Sequence, residues 1–209
     1  MHAMDSPMST HKILQPGASY SFRSYFKLPN DTDEILAEFA YSFTQARLQL
    51  PRSSRAIERL QDLRQQLEET LPYVTLNSEA AKREILIAPV LSRVAVICRR
   101  ILRIEYSLKI NEQLQGTLDY FLQSTHSLVV VEAKRDDLTR GFTQLAVELI
   151  ALAMLEDAPE ILYGAVTMGN VWVFGTLQRG VRLVTRDLAS YTLPDDVEDL
   201  VRILVGILE

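Results

Sequence analysis

The apolar run at residues 128–131 constrains the fold of this chain more than any other feature of its sequence. It reads Leu-Val-Val-Val and is followed at once by Glu132. Because the run lacks the alternation of a half-exposed strand, it predicts a strand that is buried on both faces. Such a strand lies in the interior of a sheet that has other layers on both sides.

The segments around this run predict the remaining elements of an α/β fold. Residues 103–110 alternate with period two and residues 117–122 follow Gly116, so that together with 127–132 they predict a three-strand meander. Apolar periodicity outside the meander predicts three helices and three further strands. The helices are expected over 78–101, with a kink at Pro89, over 138–155 and over 194–208, and the strands over 161–168, 171–177 and 181–185.

The N-terminal third is predicted to precede this core as a tail and a helical extension. We expect a flexible tail over 1–15, the N-terminal helical extension over 16–75 and the core over 76–209. Within the extension, a short strand is predicted over 20–28 and helices over 31–46 and 53–71. The second helix has one apolar face, which fits either a structural helix or the contact of a homodimer.

The composition is that of an ordinary globular protein and excludes several other classes. Of the 209 residues, 47% are apolar and 23% are charged, which excludes disordered and disulfide-stapled chains. The net charge of −5 argues against a protein that coats nucleic acid, although it leaves room for a local positive groove. The sequence contains no apolar run of roughly 18 residues, no secretory signal over 1–12 and one cysteine, Cys98, so we expect a cytoplasmic protein without a membrane partner.

Three charged residues stand on two neighbouring strands of the predicted meander. Asp119 lies within the segment that follows Gly116, and Glu132 and Lys134 lie at the end of the central apolar run. Alternate side chains of a strand share a face, so Glu132 and Lys134 are expected to point the same way, and an antiparallel neighbour can bring Asp119 close to Glu132. An acid at the end of a buried run is costly unless something pairs with it, and a divalent cation is one such partner.

Carboxylates and a lysine in this arrangement indicate metal-assisted hydrolysis. Mg²⁺ binds a few carboxylate oxygens and several waters, which leaves positions for a phosphate. Asp119 and Glu132 supply such oxygens, and Lys134 is placed to orient or deprotonate the attacking water. The alternative is structural: Asp119 faces a turn, and Glu132 pairs with Lys134 or with a nearby arginine.

The order and spacing of these residues resemble the PD-(D/E)XK nuclease superfamily, which includes restriction endonuclease-like enzymes. The resemblance covers residues 79–155 and is closest to the N-terminal nuclease domain of type I restriction enzyme motor subunits and to uncharacterised bacterial relatives. It is carried by Glu79, by Gly116-Thr117-Leu118-Asp119-Tyr120 and by Val130-Val131-Glu132-Ala133-Lys134. It implies a restriction endonuclease-like core that uses Mg²⁺ or Mn²⁺ to hydrolyse phosphodiester bonds, in DNA.

The resemblance also implies a role for each matching residue. Asp119 and Glu132 would bind the metal, and Lys134 would orient the water. Glu79 would complete the metal site from its helix, and Glu84 competes for that role. At 100° per residue Glu79 shares the side of the helix that is expected to be buried, whereas Glu84 points away from it, so we prefer Glu79. An acid at this place also fits a first helical turn that favours negative charge.

A glutamine on the next helix extends the resemblance. Gln144 occupies the position of a helix glutamine in several branches of the superfamily, including the one related to bacterial recombination nucleases. Those branches often carry an aromatic residue four positions later, where this chain has Glu148. A second departure is Leu118, which stands where the name of the superfamily has proline.

A different class of function uses the same scaffold without catalysis. A catalytically silent nuclease-fold protein would bind a partner protein or nucleic acid, with the N-terminal helices forming a dimer contact. Basic residues near the predicted site either track phosphates or form solvated helix faces. They are Lys82, Arg83, Arg93, Arg99, Arg100, Arg103, Lys134, Arg135 and Arg140.

Overall fold

Eight strands of the described chain form one mixed sheet. The structure is a computed structural model that describes residues 12–124, 127–132 and 137–209. The order of the strands across the sheet is β1-β7-β6-β5-β4-β3-β2, and β8 pairs with β6. They are β1 (Ser42–Ala46), β2 (Leu102–Lys109), β3 (Gln115–Gln123), β4 (Ser127–Glu132), β5 (Ile161–Thr167), β6 (Val171–Gln178), β7 (Leu183–Asp187) and β8 (Tyr191–Thr192).

Helices cover both faces of this sheet. They are α1 (Phe22–Lys27), α2 (Thr32–Ala37), α3 (Leu60–Thr70), α4 (Glu79–Lys82), α5 (Ala88–Cys98), α6 (Leu138–Ala153) and α7 (Val197–Leu208). The first apolar cluster joins α1, α2 and α6 to one face, and the second joins α3, α5 and α7 to the other. The chain is therefore a mixed α/β protein with a helical layer on each side of the sheet.

The predicted meander is confirmed, and β4 lies in the interior of the sheet. It pairs antiparallel with β3 and parallel with β5. The predicted helix over 138–155 and the three later strands are also present, with every bound within two residues of the expected one. The backbone of β4 thus has a paired strand on each edge and lies between α6 and α7, which is the arrangement that the apolar run predicted.

The helix predicted over 78–101 is present with a change of form before Pro89. Residues Arg83–Ile87 form a π-helix between α4 and α5. Pro89 has no N–H and cannot donate a hydrogen bond to the preceding turn, so the regular α-helical ladder is interrupted there. The predicted junction at Pro89 is thus confirmed.

The predicted strand over 20–28 is wrong, because these residues form α1 instead. Phe22, Tyr25 and Phe26 are spaced by three and four residues and lie buried on one side of a short helix. Ser21 begins that helix by accepting a hydrogen bond from its first turn. The spacing of the aromatic residues fits both the two-residue period of a strand and the 3.6-residue period of a helix. Burial against α6 selects the helix.

The predicted helix over 31–46 is wrong in its second half. Helix α2 ends at Ala37, and Ala40 adopts a left-handed conformation with φ 59°. The following residues form β1, which pairs in parallel with β7. The segment 16–75 therefore contributes an edge strand as well as helices, and its division from the core stays a prediction.

The apolar face of the helix predicted over 53–71 is covered within the chain itself. The helix begins at Leu60, and Leu60, Leu63 and Leu67 are buried in the second cluster with α7. This packing uses the surface that was the expected contact of a homodimer. In the part of the chain that the structure describes, no helix combines the length and the apolar character needed to span a membrane.

Replacement of Gly206 by alanine is expected to destabilise the fold although alanine favours helices. A Cβ at this position of α7 would lie 2.8 Å from backbone atoms of Pro51, Arg52 and Ser53. The gain in helix propensity is about 1 kcal/mol, and overpacking against backbone costs about 1–3 kcal/mol. Urea unfolding of Gly206→Ala should therefore show a lower free energy of unfolding. A variant more stable than the wild type would show that the segment 51–53 moves aside at little cost.

Candidate functional site

A cavity of about 370 Å³ opens beside the first half of β3. Its walls come from both helical layers and from the sheet. The cavity therefore lies at the border of the sheet, where the two layers approach each other. The residues that line it are Ser21, Arg23, Glu79, Arg83, Glu105, Gly116, Thr117, Asp119 and Gln144. Three of the predicted site residues, Glu79, Asp119 and Gln144, thus meet at one cavity.

Asp119 stands where the regular alternation of β3 is broken. Leu118 and Phe121 pack in the first apolar cluster, whereas Tyr120 and Leu122 pack in the second. Strict alternation would place Leu118 with Tyr120, so the strand changes its side-chain pattern at Asp119. This residue is half-buried and lines the cavity between the two layers.

The neighbouring strand is irregular at the same place. Ile104 pairs with Tyr120 and Tyr106 with Leu118, which puts Glu105 opposite Asp119. Glu105 has φ 53°, a left-handed conformation that a non-glycine residue rarely adopts in a strand. The interruption directs the side chain of Glu105 to Arg83, 3.4 Å away, and the edge of the sheet opens toward the cavity.

The backbone of Glu132 lies at the same end of the β3–β4 pair as Asp119. Tyr120 pairs with Val130, and the two strands run in opposite directions. Glu132 follows Val130 by two residues and Asp119 precedes Tyr120 by one, so both lie on the same side of this pair. The side chain of Glu132 and the whole of Lys134 lie outside the described part of the structure. Their convergence on Asp119 stays a prediction.

Glu79 lines the cavity and Glu84 does not, although both side chains are exposed. The expectation that Glu79 shares the buried side of the helix is therefore wrong. Glu79 is the first residue of α4, whose N-cap Ser78 accepts a hydrogen bond from Ala81 through its hydroxyl. Glu84 stands within the π-helix, which shifts the phase of the later turns relative to a regular α-helix. The preferred acid therefore lies at the cavity, and its role as a metal ligand stays a prediction.

Gln144 is held in a fixed orientation by a buried carboxyl group. Its Nε2 donates a hydrogen bond to Oε1 of Glu148 over 3.0 Å, and both side chains are buried within α6. Because the amide nitrogen is turned to Glu148, the carbonyl oxygen is the atom available to the cavity. Sequence reasoning treated Glu148 as a departure, but the four-residue spacing of two polar residues in an apolar helix was a signal of this pair.

The environment of Glu148 favours the protonated form of its carboxyl group. Burial raises the pKa of Glu148 well above its ordinary value, the hydrogen bond from Gln144 opposes this shift, and the negative charge of Asp119 adds to it. Its Oε2 is buried and has no hydrogen-bond partner among the described residues. The effect of Asp119 on this group also indicates that the two acids lie within electrostatic reach of each other.

Arg83 supplies positive charge to the cavity wall. Its guanidinium donates to the Tyr120 hydroxyl over 3.4 Å and lies 5.5 Å from the centre of the Tyr120 ring. The hydrogen bond with Tyr120 is the main cause that raises the pKa of Arg83, and Asp119 contributes through its charge. Arg83 is thus a cation held in place beside the predicted metal ligand.

The oxygen donors of the cavity suit a hard divalent cation. Asp119 and Glu79 offer carboxylates and Gln144 offers an amide carbonyl, and the described residues of the walls include neither histidine nor cysteine. Mg²⁺ binds through one or two carboxylates and keeps several waters, so this donor set fits Mg²⁺ or Mn²⁺. Within residues 12–124, 127–132 and 137–209, no three side chains of His, Cys, Asp or Glu form a group that could hold a metal ion.

Comparisons with protein-family models, with curated proteins and with solved structures found no match for this chain.

Substitution of Glu148 by glutamine is expected to change how stability depends on pH. When folding raises the pKa of an acid, the protein loses stability as the pH rises above the pKa of that acid in the unfolded chain, about 4.3 for Glu. The loss amounts to up to about 1.4 kcal/mol per pH unit and continues until the pH reaches the pKa of the folded state. Glutamine keeps an acceptor for Gln144 and does not titrate. Urea unfolding between pH 4 and pH 8 should therefore show the advantage of Glu148→Gln growing as the pH rises.

The matched control for this measurement is Glu112→Gln. Glu112 is exposed, and a hydrogen bond from Lys109 lowers its pKa. Because folding lowers the pKa of Glu112, this acid stabilises the wild type more as the pH rises. Glu112→Gln should therefore not gain stability relative to the wild type over the same pH range. A pH-independent difference between Glu148→Gln and the wild type would show that Glu148 is ionised in the folded protein.

Proposed function

We propose that this protein is a metal-dependent nuclease that hydrolyses phosphodiester bonds in DNA on a restriction endonuclease-like core. The observation that supports it most is the meeting of Glu79, Asp119 and Gln144 at one cavity. These residues come from three separate elements, α4, β3 and α6, and are far apart in sequence.

The arrangement of elements gives further support. The helix with Glu79 is followed by the meander with Asp119 and Glu132 and then by the helix with Gln144, in the order that the resemblance to PD-(D/E)XK nucleases implies. The backbone of β4 brings Glu132 to the end of the strand pair at which Asp119 stands. Lys134 follows two residues later in the sequence.

In the proposed site, Asp119, Glu132 and Glu79 would hold Mg²⁺ or Mn²⁺, and Gln144 lines the same cavity. Such an ion would supply a bound water of lowered pKa and would neutralise the charge that grows on the phosphate. Lys134 orients the attacking water. Arg83, which is fixed by Tyr120 and Glu105, offers donors to a phosphate oxygen at the cavity wall.

A catalytically silent scaffold that binds nucleic acid or a partner protein is the second candidate. It is favoured by the net charge of −5, since a protein that grips DNA over a wide surface is usually basic. The cavity would then serve as part of a binding surface, and loss of its carboxylates would leave binding in place.

Cleavage of plasmid and short duplexes in Mg²⁺, Mn²⁺ or EDTA tests the nuclease. We expect metal-dependent cleavage that falls at least about a hundredfold in Asp119→Ala and in Lys134→Ala, because each removes a group that acts on the water or the phosphate. Asp62→Asn is the matched control, since Asp62 is an exposed acid on α3. Equal activity in all variants would identify a contaminant, and no cleavage under any condition would favour the silent scaffold.

A second experiment separates the two acids of the helix before the meander. Glu79→Gln is expected to reduce cleavage about tenfold or more, since Glu79 lines the cavity. Glu84→Gln serves as the control from the same helical segment and should retain wild-type activity, since Glu84 is equally exposed but lies outside the cavity. The reverse result would assign the helix acid to Glu84.

A further inference from the structure

A groove lined by three arginines lies at the opposite end of β3 from the cavity. It has a volume of about 390 Å³ and is formed by the C-terminal end of α5, the start of β2 and the end of β3. Among the residues that the structure describes, none that lines it carries a carboxylate. The residues that line it are Arg99, Arg100, Ile101, Arg103, Gln123 and Ser124.

The arginines of this groove are grouped closely and have no carboxylate partner among the described residues. Seven arginines elsewhere form ion pairs with carboxylates, namely Arg52, Arg55, Arg59, Arg64, Arg83, Arg140 and Arg202. Six others form none within the described chain but do not line this groove, namely Arg23, Arg47, Arg93, Arg179, Arg182 and Arg186. A protein with an excess of acids thus carries a local group of three positive charges that no carboxylate of the described residues pairs with.

The helix explains only part of this charge. Arg99 is the C-cap of α5 with φ 53°, and positive side chains are favoured at the C-terminus of a helix by its dipole. The helix dipole accounts for positive charge at Arg99 and Arg100, which lie at the end of α5. It does not account for Arg103, which stands on β2 and joins the groove only through the tertiary structure.

Arg103 packs beside an aromatic ring. Its guanidinium carbon lies 5.6 Å from the centre of the Tyr106 ring. Contact of this kind restricts the guanidinium and leaves its N–H groups as donors for a ligand. A planar fork of donors matches two oxygens of a phosphate.

The groove lies at a distance from the cavity that one nucleic acid can span. Asp119 lines the cavity and Gln123 lines the groove, and four residues along a strand measure about 14 Å. Duplex DNA rises about 3.4 Å per base pair, so this separation corresponds to about four base pairs. A duplex that lies along the β2–β3 pair would reach both places.

We infer that the groove of Arg99, Arg100 and Arg103 binds the phosphodiester backbone of duplex DNA a few base pairs away from the cavity. This inference rests on the proposed function, since it assigns a second contact to the same substrate. The contact is to phosphates and carries no sequence information of its own.

Binding of a labelled duplex in EDTA, measured by fluorescence anisotropy over a range of salt concentrations, tests the groove without any cleavage. The test variant is Arg99→Ala/Arg100→Ala/Arg103→Ala. Its affinity is expected to fall at least about tenfold at low salt, and the slope of log affinity against log salt should decrease by about 2.7, the value for three phosphates.

The matched control is Arg59→Ala/Arg64→Ala/Arg182→Ala, which changes the net charge equally at arginines that do not line the groove. It should bind within about twofold of the wild type at about 0.15 M salt, because these arginines do not line the groove and the Debye length at that concentration is only about 8 Å. Equal loss in both triple variants, or no loss in the groove variant, would overturn the inference. The thermal unfolding midpoints of both variants confirm that they are folded.

Cleavage in Mn²⁺ by the same proteins separates this inference from the proposed function. A wild type that binds through the groove and never cleaves would support the groove and refute the nuclease. A wild type that cleaves, with a groove variant that binds and cleaves as the control does, would support the nuclease and refute the groove.

Discussion

The complete burial of α6 is the constraint on which the rest of the structure depends. Every residue from Gly141 to Ala153 is buried. A helix that is apolar on all sides cannot lie at a surface, so it needs the sheet on one side and further elements on the other. Helices α1 and α2 supply that cover, and their aromatic and aliphatic residues join the same cluster. The layer that closes over α6 also forms one wall of the cavity through Ser21 and Arg23.

The polar side chains of this helix are costly to bury, and hydrogen bonds with other side chains offset that cost. Thr143 shares a hydrogen bond of 2.7 Å with Thr32 of α2, and Gln144 donates to Glu148. Burial disfavours the charged form of Glu148, so the pair places a carboxyl group beside Asp119 without adding a second full negative charge. The candidate site therefore lies where polar groups border the apolar core. An apolar pair of the same shape would stabilise the fold equally well, so the value of these polar pairs lies in positioning the side chains of the site.

The site also depends on interruptions of regular structure. The π-helix before Pro89 and the left-handed Glu105 disturb two elements at the cavity, and β3 changes its side-chain pattern at Asp119. Each interruption turns a side chain away from the place that a regular helix or strand would give it. The result is that residues from α4, β2, β3 and α6 share one opening, with Arg83 as the cation between Glu105 and Tyr120.

The interior position of β4, the meander around it and the buried helix with Gln144 could be read from the sequence, because each follows from the spacing of apolar residues along one element. Tertiary packing brought Glu79 rather than Glu84 to the cavity, since both acids are exposed and Glu84 stands within a π-helix. The same packing made residues 22–27 a helix and residues 42–46 a strand, since short segments fit both periods and burial against α6 or pairing with β7 selects between them. It also decided the partnership of Gln144 with Glu148 beside Asp119 and the grouping of Arg103 with Arg99 and Arg100. These relations join residues on different elements or depend on burial, and the pattern of a single segment carries no information about either.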